Sequence, residues 1–259
     1  MLPTRFDDVR GKRVRYFRGG EGPPIVFLHG YPDNLQIWSA VAPLLGGFEI
    51  IAFDWPGMGR SEAWAGGATP FHMADRLLAL LDHWRIARAA LVGIDMGGQP
   101  AVVAAAQHPD RVSHLIVSGS LLQWDAPTSF DIAVLRKFRF NQFFLKHFPR
   151  QVFRRAVPAI DEDVRRDFWE HFRRPEVRDF IVRMCAGYQG TLPKLPSEVS
   201  VPTLCLWGSN DRHFPVIHAS HLRGAKVQVI AGGEHWLPLQ KPREFAEAVR
   251  LECGGLPPL

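Results

Sequence analysis

Short apolar runs that alternate with helical patterns restrict the fold of this chain more than any other feature. Several runs are β-branched and apolar throughout, as strands of a parallel sheet are when helices cover both faces. The candidate strands are residues 14–17, 25–28, 49–53, 90–93, 115–118, 203–207 and 227–230. The candidate helices between them include residues 71–84 and 97–108. We therefore predict an α/β fold with a mostly parallel central sheet flanked by helices.

The strand–helix alternation stops near residue 121 and resumes near residue 201. The segment between is rich in Phe and Arg and has amphipathic helical patterns without a clear strand. We interpret it as a helical cap, residues 122–196, inserted into a core formed by residues 1–121 and 197–259. A length of 259 residues fits one large domain with such an insertion.

Composition and charge exclude several classes of protein. Hydrophobic residues make up 46% and charged residues 22% of the chain, which is ordinary for a globular protein. No apolar run could cross a bilayer, and the charged N-terminus lacks a signal-peptide core, so we expect a cytoplasmic protein without a membrane partner. Three scattered cysteines predict neither a disulfide framework nor a zinc site. We expect no metal.

The whole net charge of +5 comes from one part of the chain. Residues 131–183 hold 13 Lys and Arg against 8 Asp and Glu, and the remainder holds 18 of each. The simplest interpretation is a solvated helical surface, and attraction of anionic substrates is the alternative. No nucleic-acid recognition motif accompanies the charge, so we expect no nucleic-acid partner.

A glycine-rich turn follows the candidate strand at residues 90–93. Residues 93–98 read Gly-Ile-Asp-Met-Gly-Gly, and the small residues permit a tight turn that exposes Asp95 beside a helix N-terminus. Upstream, residues 27–32 read Phe-Leu-His-Gly-Tyr-Pro. This loop can aim the backbone N–H of Tyr31 at the turn, with the Met96 N–H as the second donor of an oxyanion hole. A helix-capping role for Asp95 is the plainer alternative.

Two further motifs follow late strands: Trp-Gly-Ser-Asn-Asp at 207–211 and Gly-Gly-Glu-His-Trp at 232–236. Parallel strands would deliver Asp95, Asp211 and His235 to one edge of the sheet, where ligands bind in open α/β sheets. Asp125 lies near another strand end and is an alternative to Asp211. Asp54, in a glycine-rich turn, is expected to bond turn N–H groups.

Together these motifs resemble the α/β-hydrolase superfamily over nearly the whole chain. The His-Gly-Tyr-Pro loop, the Asp-Trp-Pro-Gly-Met-Gly-Arg-Ser segment and the Asp turn resemble the branch of epoxide hydrolases, haloalkane dehalogenases and haloacetate dehalogenases. The resemblance implies that Asp95 is the nucleophile, His235 the general base and Asp211 its orienting acid, with no cofactor. A carboxylate nucleophile suits displacement at a saturated carbon and gives an alkyl-enzyme ester, which a His-activated water hydrolyses.

The cap must stabilise the leaving group, and its residues distinguish the activities. Haloalkane dehalogenases typically have Trp after the nucleophile, where this chain has Met96. Haloacetate dehalogenases place arginines just beyond, where Met96 and Gln99 stand here. Epoxide hydrolases use two cap tyrosines, and Tyr188 resembles the second of them. The first has no clear counterpart, but Asn141 and Gln142 could supply a polar donor and Trp124 could line the pocket.

The sequence thus predicts a hydrolase acting on a small molecule, with epoxide opening first and dehalogenation second. A lyase acting on a strained ring such as a β-lactone is a third possibility. A non-catalytic ligand receptor on the same scaffold is the rival of a different class. His213, His218 and His221 cluster after Asp211, but their spacing matches no zinc pattern. The oligomeric state is left open.

Overall fold

A single sheet forms the centre of the protein. The computed structural model describes residues 1–130, 132–133 and 139–254, and for 139–141 the backbone alone. The described strands are β1 (Arg5–Val9), β2 (Lys12–Gly19), β3 (Pro24–Leu28), β4 (Glu49–Phe53), β5 (Ala89–Ile94), β6 (Val112–Ser118), β7 (Thr203–Gly208) and β8 (Lys226–Ile230). Their order is β1-β2-β4-β3-β5-β6-β7-β8. The β1–β2 and β2–β4 pairs are antiparallel, and the remaining pairs are parallel.

All seven predicted strands are present, and the structure adds β1. Every residue of the central β5 is buried, which explains why its sequence is apolar throughout. Strand β1 reads Arg-Phe-Asp-Asp-Val and pairs with β2 alone at the edge of the sheet. Because an edge strand leaves most of its side chains in water, β1 has no apolar run to reveal it.

Helices cover the sheet and fill the segment between β6 and β7. The described α-helices are α1 (Pro70–His83), α2 (Gly98–Gln107), α3 (Arg139–His147), α4 (Pro149–Ala156), α5 (Glu162–Phe172), α6 (Pro175–Thr191), α7 (Leu237–Gln240) and α8 (Pro242–Glu252). The predicted helices 71–84 and 97–108 correspond to α1 and α2. Helix α1 begins after Thr69, whose hydroxyl accepts the His72 N–H, with Pro70 at the first helical position.

Helices α3 to α6 all lie between β6 and β7 in the chain, in the segment predicted to be helical. Assignment of residues 122–196 to a separate cap stays a prediction. In the described ranges no helix combines the length and the apolar character that crossing a bilayer requires.

Candidate active site

Asp95 occupies a tight turn between β5 and α2. The backbone around this turn is so crowded that glycine is needed on both sides of Asp95. The φ angle of Asp95 is +51°, in the left-handed region that non-glycine residues rarely adopt. A Cβ on Gly93 would lie 2.5 Å from the Gly97 carbonyl oxygen, and one on Gly97 would lie 2.3 Å from the Leu28 carbonyl oxygen. The Ser120 hydroxyl donates to the Asp95 carbonyl at 2.6 Å. The turn therefore holds the Asp95 side chain at the carboxyl end of the central strand.

The loop after β3 approaches this turn closely. The Tyr31 backbone N–H donates to Asp95 Oδ2 at 2.8 Å, and a Cβ on Gly30 would lie 2.5 Å from the Asp95 Cβ. Within the described part of the chain, this is the one hydrogen bond that the Asp95 carboxylate accepts. The carboxylate therefore caps neither the 3-10 turn nor α2. Met96 is buried beside it, but its N–H does not bond the carboxylate in this structure.

His235 and Asp211 form a hydrogen-bonded pair at the same edge of the sheet. His235 Nδ1 lies 3.1 Å from Asp211 Oδ2. Asp211 Oδ1 accepts the backbone N–H groups of His213 and Phe214, each at 2.9 Å, which orients the carboxylate. Gly119 makes room for the pair, because a Cβ there would lie 2.8 Å from Asp211 Oδ2.

The alternative acid, Asp125, is exposed on a turn beyond β6. No hydrogen bond or ion pair links it to His235 in the described structure, whereas Asp211 makes both contacts. The geometry therefore favours Asp211 over Asp125 as the partner of His235.

Burial and mutual attraction set the protonation of the three groups. Burial raises the pKa of Asp95 to about 7, against the lowering effects of His235 and of the Tyr31 N–H. Burial alone would lower the pKa of His235, but Asp211, Asp95 and Asp33 raise it to about 9. Burial also opposes ionisation of Asp211, yet His235 and the backbone donors hold the pKa of this carboxyl below its usual range. At neutral pH the histidine is an imidazolium between carboxyl groups.

An apolar cavity of about 400 Å³ opens in front of these residues. Asp95, His235 and Tyr31 form one wall, and helices α3 and α4 with the residue between them contribute Phe144, Phe148, Val152 and Ala156. The other lining residues are Phe130, Ile132, Gln151, Arg155, His213, Phe214 and Trp236. The cavity has the size and the mostly apolar walls of a small-molecule site.

The predicted cap residues fall in different places. Tyr188 is buried on α6 and lies outside the described lining of the cavity. Trp124 is partly buried against the core and also lies outside that lining. Gln142 is exposed on α3 and does not reach the cavity, because it lies on the solvent side of an amphipathic helix. The side chain of Asn141 is outside the described residues.

Two polar lining residues, Gln151 and Arg155, were not predicted from the sequence. Their spacing of four places both on one face of α4, which was the available signal. This spacing does not by itself indicate a cavity, because the polar face of an amphipathic helix usually faces water.

The histidines after Asp211 are engaged in ordinary contacts. His218 Nε2 lies 3.0 Å from the Pro127 carbonyl, and His221 Nε2 lies 3.1 Å from the Pro196 carbonyl. Across the described side chains no group of three His, Cys, Asp or Glu residues could hold a metal ion. Asp54 accepts the N–H groups of Leu35 and Arg60 at 2.9 and 2.8 Å, which confirms its predicted structural role.

Comparison with known proteins identifies the family. Residues 23–242 match the family described as alpha/beta hydrolase fold. The chain belongs to the α/β-hydrolase fold family. This agrees with the mostly parallel eight-stranded sheet and with the predicted fold class.

Relatives within this family are diverse. The chain is 28% identical to the dihydrolipoyllysine-residue acetyltransferase component of the acetoin cleaving system of Cupriavidus necator, over 97% of this chain and 69% of that protein. It is also 28% identical to epoxide hydrolase 3 of Xenopus tropicalis, over 93% of this chain and 74% of that protein. Among solved structures, a membrane phospholipase A described as a bacterial virulence factor superposes with a TM-score of 0.81. The identity there is 22%, over 97% of this chain and 85% of the other. Enzymes with this fold catalyse different reactions, so the reaction of this protein depends on the residues of its site.

Proposed function

We propose that this protein is an epoxide hydrolase that works through a covalent ester on Asp95. The observation that carries the proposal is the placement of a buried carboxylate, rather than a hydroxyl, at the turn after β5. Its Oδ2 accepts the Tyr31 N–H, and His235, which pairs with Asp211, lines the same apolar cavity as Asp95. A small molecule of mostly apolar character is the substrate that this cavity suits.

In the first half-reaction Asp95 attacks a ring carbon of the epoxide. Because Oδ2 is held by the Tyr31 N–H, Oδ1 is the oxygen that forms the new bond to carbon. The C–O bond of the ring breaks, and a hydroxyalkyl ester of Asp95 results. Burial leaves the attacking carboxylate poorly solvated, which favours its reaction with a neutral electrophile.

In the second half-reaction His235 deprotonates a water that attacks the ester carbonyl. Esterification removes the negative charge of Asp95, which is one of the charges that raise the pKa of His235. The imidazolium therefore loses its proton more readily in the ester intermediate than in the free protein. The Tyr31 N–H stabilises the oxyanion, with Met96 as the second donor, and Asp211 holds the imidazole in place.

Tyr188 supports the epoxide reaction over the alternatives. An opening epoxide needs a proton for its oxygen, and we assign this role to the buried phenol of Tyr188, which lies outside the cavity lining but has its pKa raised by burial and further by the charge of Asp95. The resemblance to epoxide hydrolase 3 points the same way. Dehalogenation of a small organohalide is the second candidate, because the apolar walls of the cavity also suit a halide leaving group.

The test is intact-mass spectrometry of His235→Gln incubated with an epoxide and with an organohalide. Without the base the ester should accumulate, and peptide mapping should place it on Asp95. An epoxide adds its entire mass, whereas an organohalide adds its mass less the halogen. His221→Gln is the matched control, since His221 lies outside the cavity, and it should turn substrate over without accumulating an adduct. Turnover by the wild-type protein with no adduct in His235→Gln would contradict the covalent mechanism.

A further inference from the structure

The backbone N–H of Tyr31 donates a hydrogen bond to Asp95, but this contact does not explain why the Tyr31 hydroxyl is buried at the candidate site. Tyr31 lines the cavity together with Asp95 and His235. Its ring packs edge-on against Phe172 of α5, with ring centroids 5.9 Å apart. The phenolic oxygen is buried, yet it has no hydrogen-bond partner in the described structure. A buried hydroxyl without a partner is costly, and such groups in native proteins usually have a functional partner.

Tyr31 and Tyr188 share one neighbourhood. For both phenols burial is the main cause of a strongly raised pKa, and the same two groups, Cys185 and Asp95, raise it further. Both side chains therefore stay protonated, as hydrogen-bond donors, near the carboxyl that would attack the substrate. The remaining tyrosine of the chain, Tyr16, packs on Trp84 at the sheet, with ring centroids 5.2 Å apart.

We propose that the Tyr31 phenol is a catalytic acid that protonates the oxygen of the opening epoxide. The inference rests on the proposed function and names the group that completes it. The first cap tyrosine of epoxide hydrolases has no counterpart in this cap, and a tyrosine of the core loop after β3 takes its place. One residue then serves both half-reactions, by its side chain in the first and by its backbone N–H in the second.

The proton balance closes without a further reactant. As Asp95 Oδ1 bonds to carbon, the electron pair of the broken C–O bond goes to the ring oxygen, which takes the Tyr31 proton. The Tyr31 phenolate then takes the proton of the His235 imidazolium, which restores the phenol and leaves a neutral imidazole. In hydrolysis, water adds to the ester carbonyl and one of its protons goes to His235. That proton then passes to the departing alkoxide and gives the diol. Asp95 is left as a carboxylic acid, and its proton restores the His235 imidazolium.

The experiment measures the rate of adduct formation in the His235→Gln background, with an epoxide and with an alkyl bromide of matched carbon skeleton. Tyr31→Phe keeps the ring and the backbone N–H but removes the proton. We expect it to slow alkylation by the epoxide by about 10-fold to 100-fold and alkylation by the bromide by less than about 3-fold, because bromide leaves without a proton. Tyr31→Phe combined with Tyr188→Phe should slow the epoxide reaction beyond either single change. Tyr16→Phe is the control and should change neither rate.

The outcomes separate the two proposals. If the epoxide alkylates Asp95 at the same rate with and without the Tyr31 hydroxyl, and the double variant matches Tyr188→Phe, the role of Tyr31 is wrong and the proposed function stands. Equal slowing of the epoxide and the bromide also overturns the acid role, since it indicates lost packing. If the His235→Gln parent forms no adduct with the epoxide, the epoxide hydrolase proposal fails, and the role of Tyr31 fails with it.

Discussion

Asp95 combines two unfavourable conditions in one residue. Its backbone lies in the left-handed region at φ +51°, and its carboxyl group is buried with its pKa raised to about 7. Strain and buried charge of this kind are concentrated at functional sites, where surrounding contacts hold them in place. Here the Ser120 hydroxyl and the Tyr31 N–H make those contacts.

Asp95→Asn is expected to stabilise the protein, and more so at pH 8 than at pH 5. The unfolded carboxyl ionises near its usual pKa of 3.8, whereas the folded carboxyl keeps its proton until about pH 7. The free energy of unfolding therefore falls as pH rises from 3.8 to about 7, and the whole destabilisation by Asp95 is present above pH 7. Asparagine carries no charge and tolerates a left-handed backbone. Thermal denaturation at the two pH values should show the larger rise in Tm at pH 8, and a rise that is equal at both would contradict the buried-charge explanation.

The same pKa predicts the pH dependence of the first half-reaction. Since the attacking group must be ionised, kcat/KM for an epoxide should rise with pH through about 7 and then level off. In His235→Gln the neighbouring positive charge is gone, so the midpoint for adduct formation should move upward. His221→Gln should leave the midpoint in place. An alkylation rate that is flat from pH 5 to pH 9 would exclude Asp95 as the titrating nucleophile.

At the scale of elements, helix α5 is joined to the sheet by a buried cluster of charges. Asp167 of α5 lies 2.9 Å from Arg15 of β2, 3.1 Å from Arg60 and 2.9 Å from Asn34 Nδ2. Helix α6 makes a second contact with the core. A Cβ on Gly57 would lie 2.5 Å from the Phe180 ring, and the backbone there has φ +96°. These contacts fix helices α5 and α6 against the part of the protein that contains the sheet.

Asp167→Ala should destabilise the protein by about 3 to 5 kcal/mol, because it leaves the buried Arg15 guanidinium without its closest partner. Asp163→Ala is the matched control. It is on the same helix and pairs with Arg166 at 3.1 Å, but both side chains are exposed, so little change is expected. Denaturant titration at pH 7 compares the two.

The stability lost in Asp167→Ala should depend on pH, because the pKa of Asp167 is shifted in the folded protein. Burial opposes ionisation of this carboxyl, but Arg15, His171 and Asn34 hold its pKa below the usual range. Its contribution to stability is therefore present above pH 3.8 and is lost as pH falls through the folded pKa. The difference in the free energy of unfolding between the wild-type protein and Asp167→Ala should therefore become smaller at acidic pH.

At the scale of the whole molecule, charge is distributed unevenly around the cavity. Residues 131–183 carry the whole net charge of +5, and two helices of this segment, α3 and α4, contribute to one wall of the cavity. Arg155 brings a guanidinium into an otherwise mostly apolar lining. A positive potential over the entrance would raise the local concentration of anionic substrates.

An epoxide with a distal carboxylate should therefore have a higher kcat/KM than its neutral amide analogue at low ionic strength. The advantage should shrink between about 0.01 M and about 0.15 M salt, as screening shortens the range of the field. Arg155→Gln should reduce the advantage more than Arg243→Gln, which removes the same charge from α8 outside the cavity lining. If the ratio of kcat/KM for the carboxylate epoxide to kcat/KM for the amide analogue does not change with salt, electrostatic attraction is excluded.

Much of the fold could be read from local patterns. The apolar runs located seven of the eight strands that the structure describes, and the helical patterns located α1 and α2. The glycines around Asp95 and the order of Asp95, Asp211 and His235 in the chain predicted the strand ends at which the candidate site lies. Burial on both faces, tight turns and helix amphipathicity each leave their mark within a few neighbouring residues, so a sequence by itself determines them.

Only the tertiary structure decided the choice of Asp211 over Asp125 and the raised pKa values of Asp95 and His235. The same holds for the buried Tyr31 phenol, which has no hydrogen-bond partner among the described residues. The tertiary structure also placed Arg155 in the cavity and Gln142 in solvent, although both lie on amphipathic helices of the same segment. Each of these properties depends on distances between elements far apart in the chain. Burial, charge and hydrogen bonding act through space, and residue order alone does not specify which groups meet there.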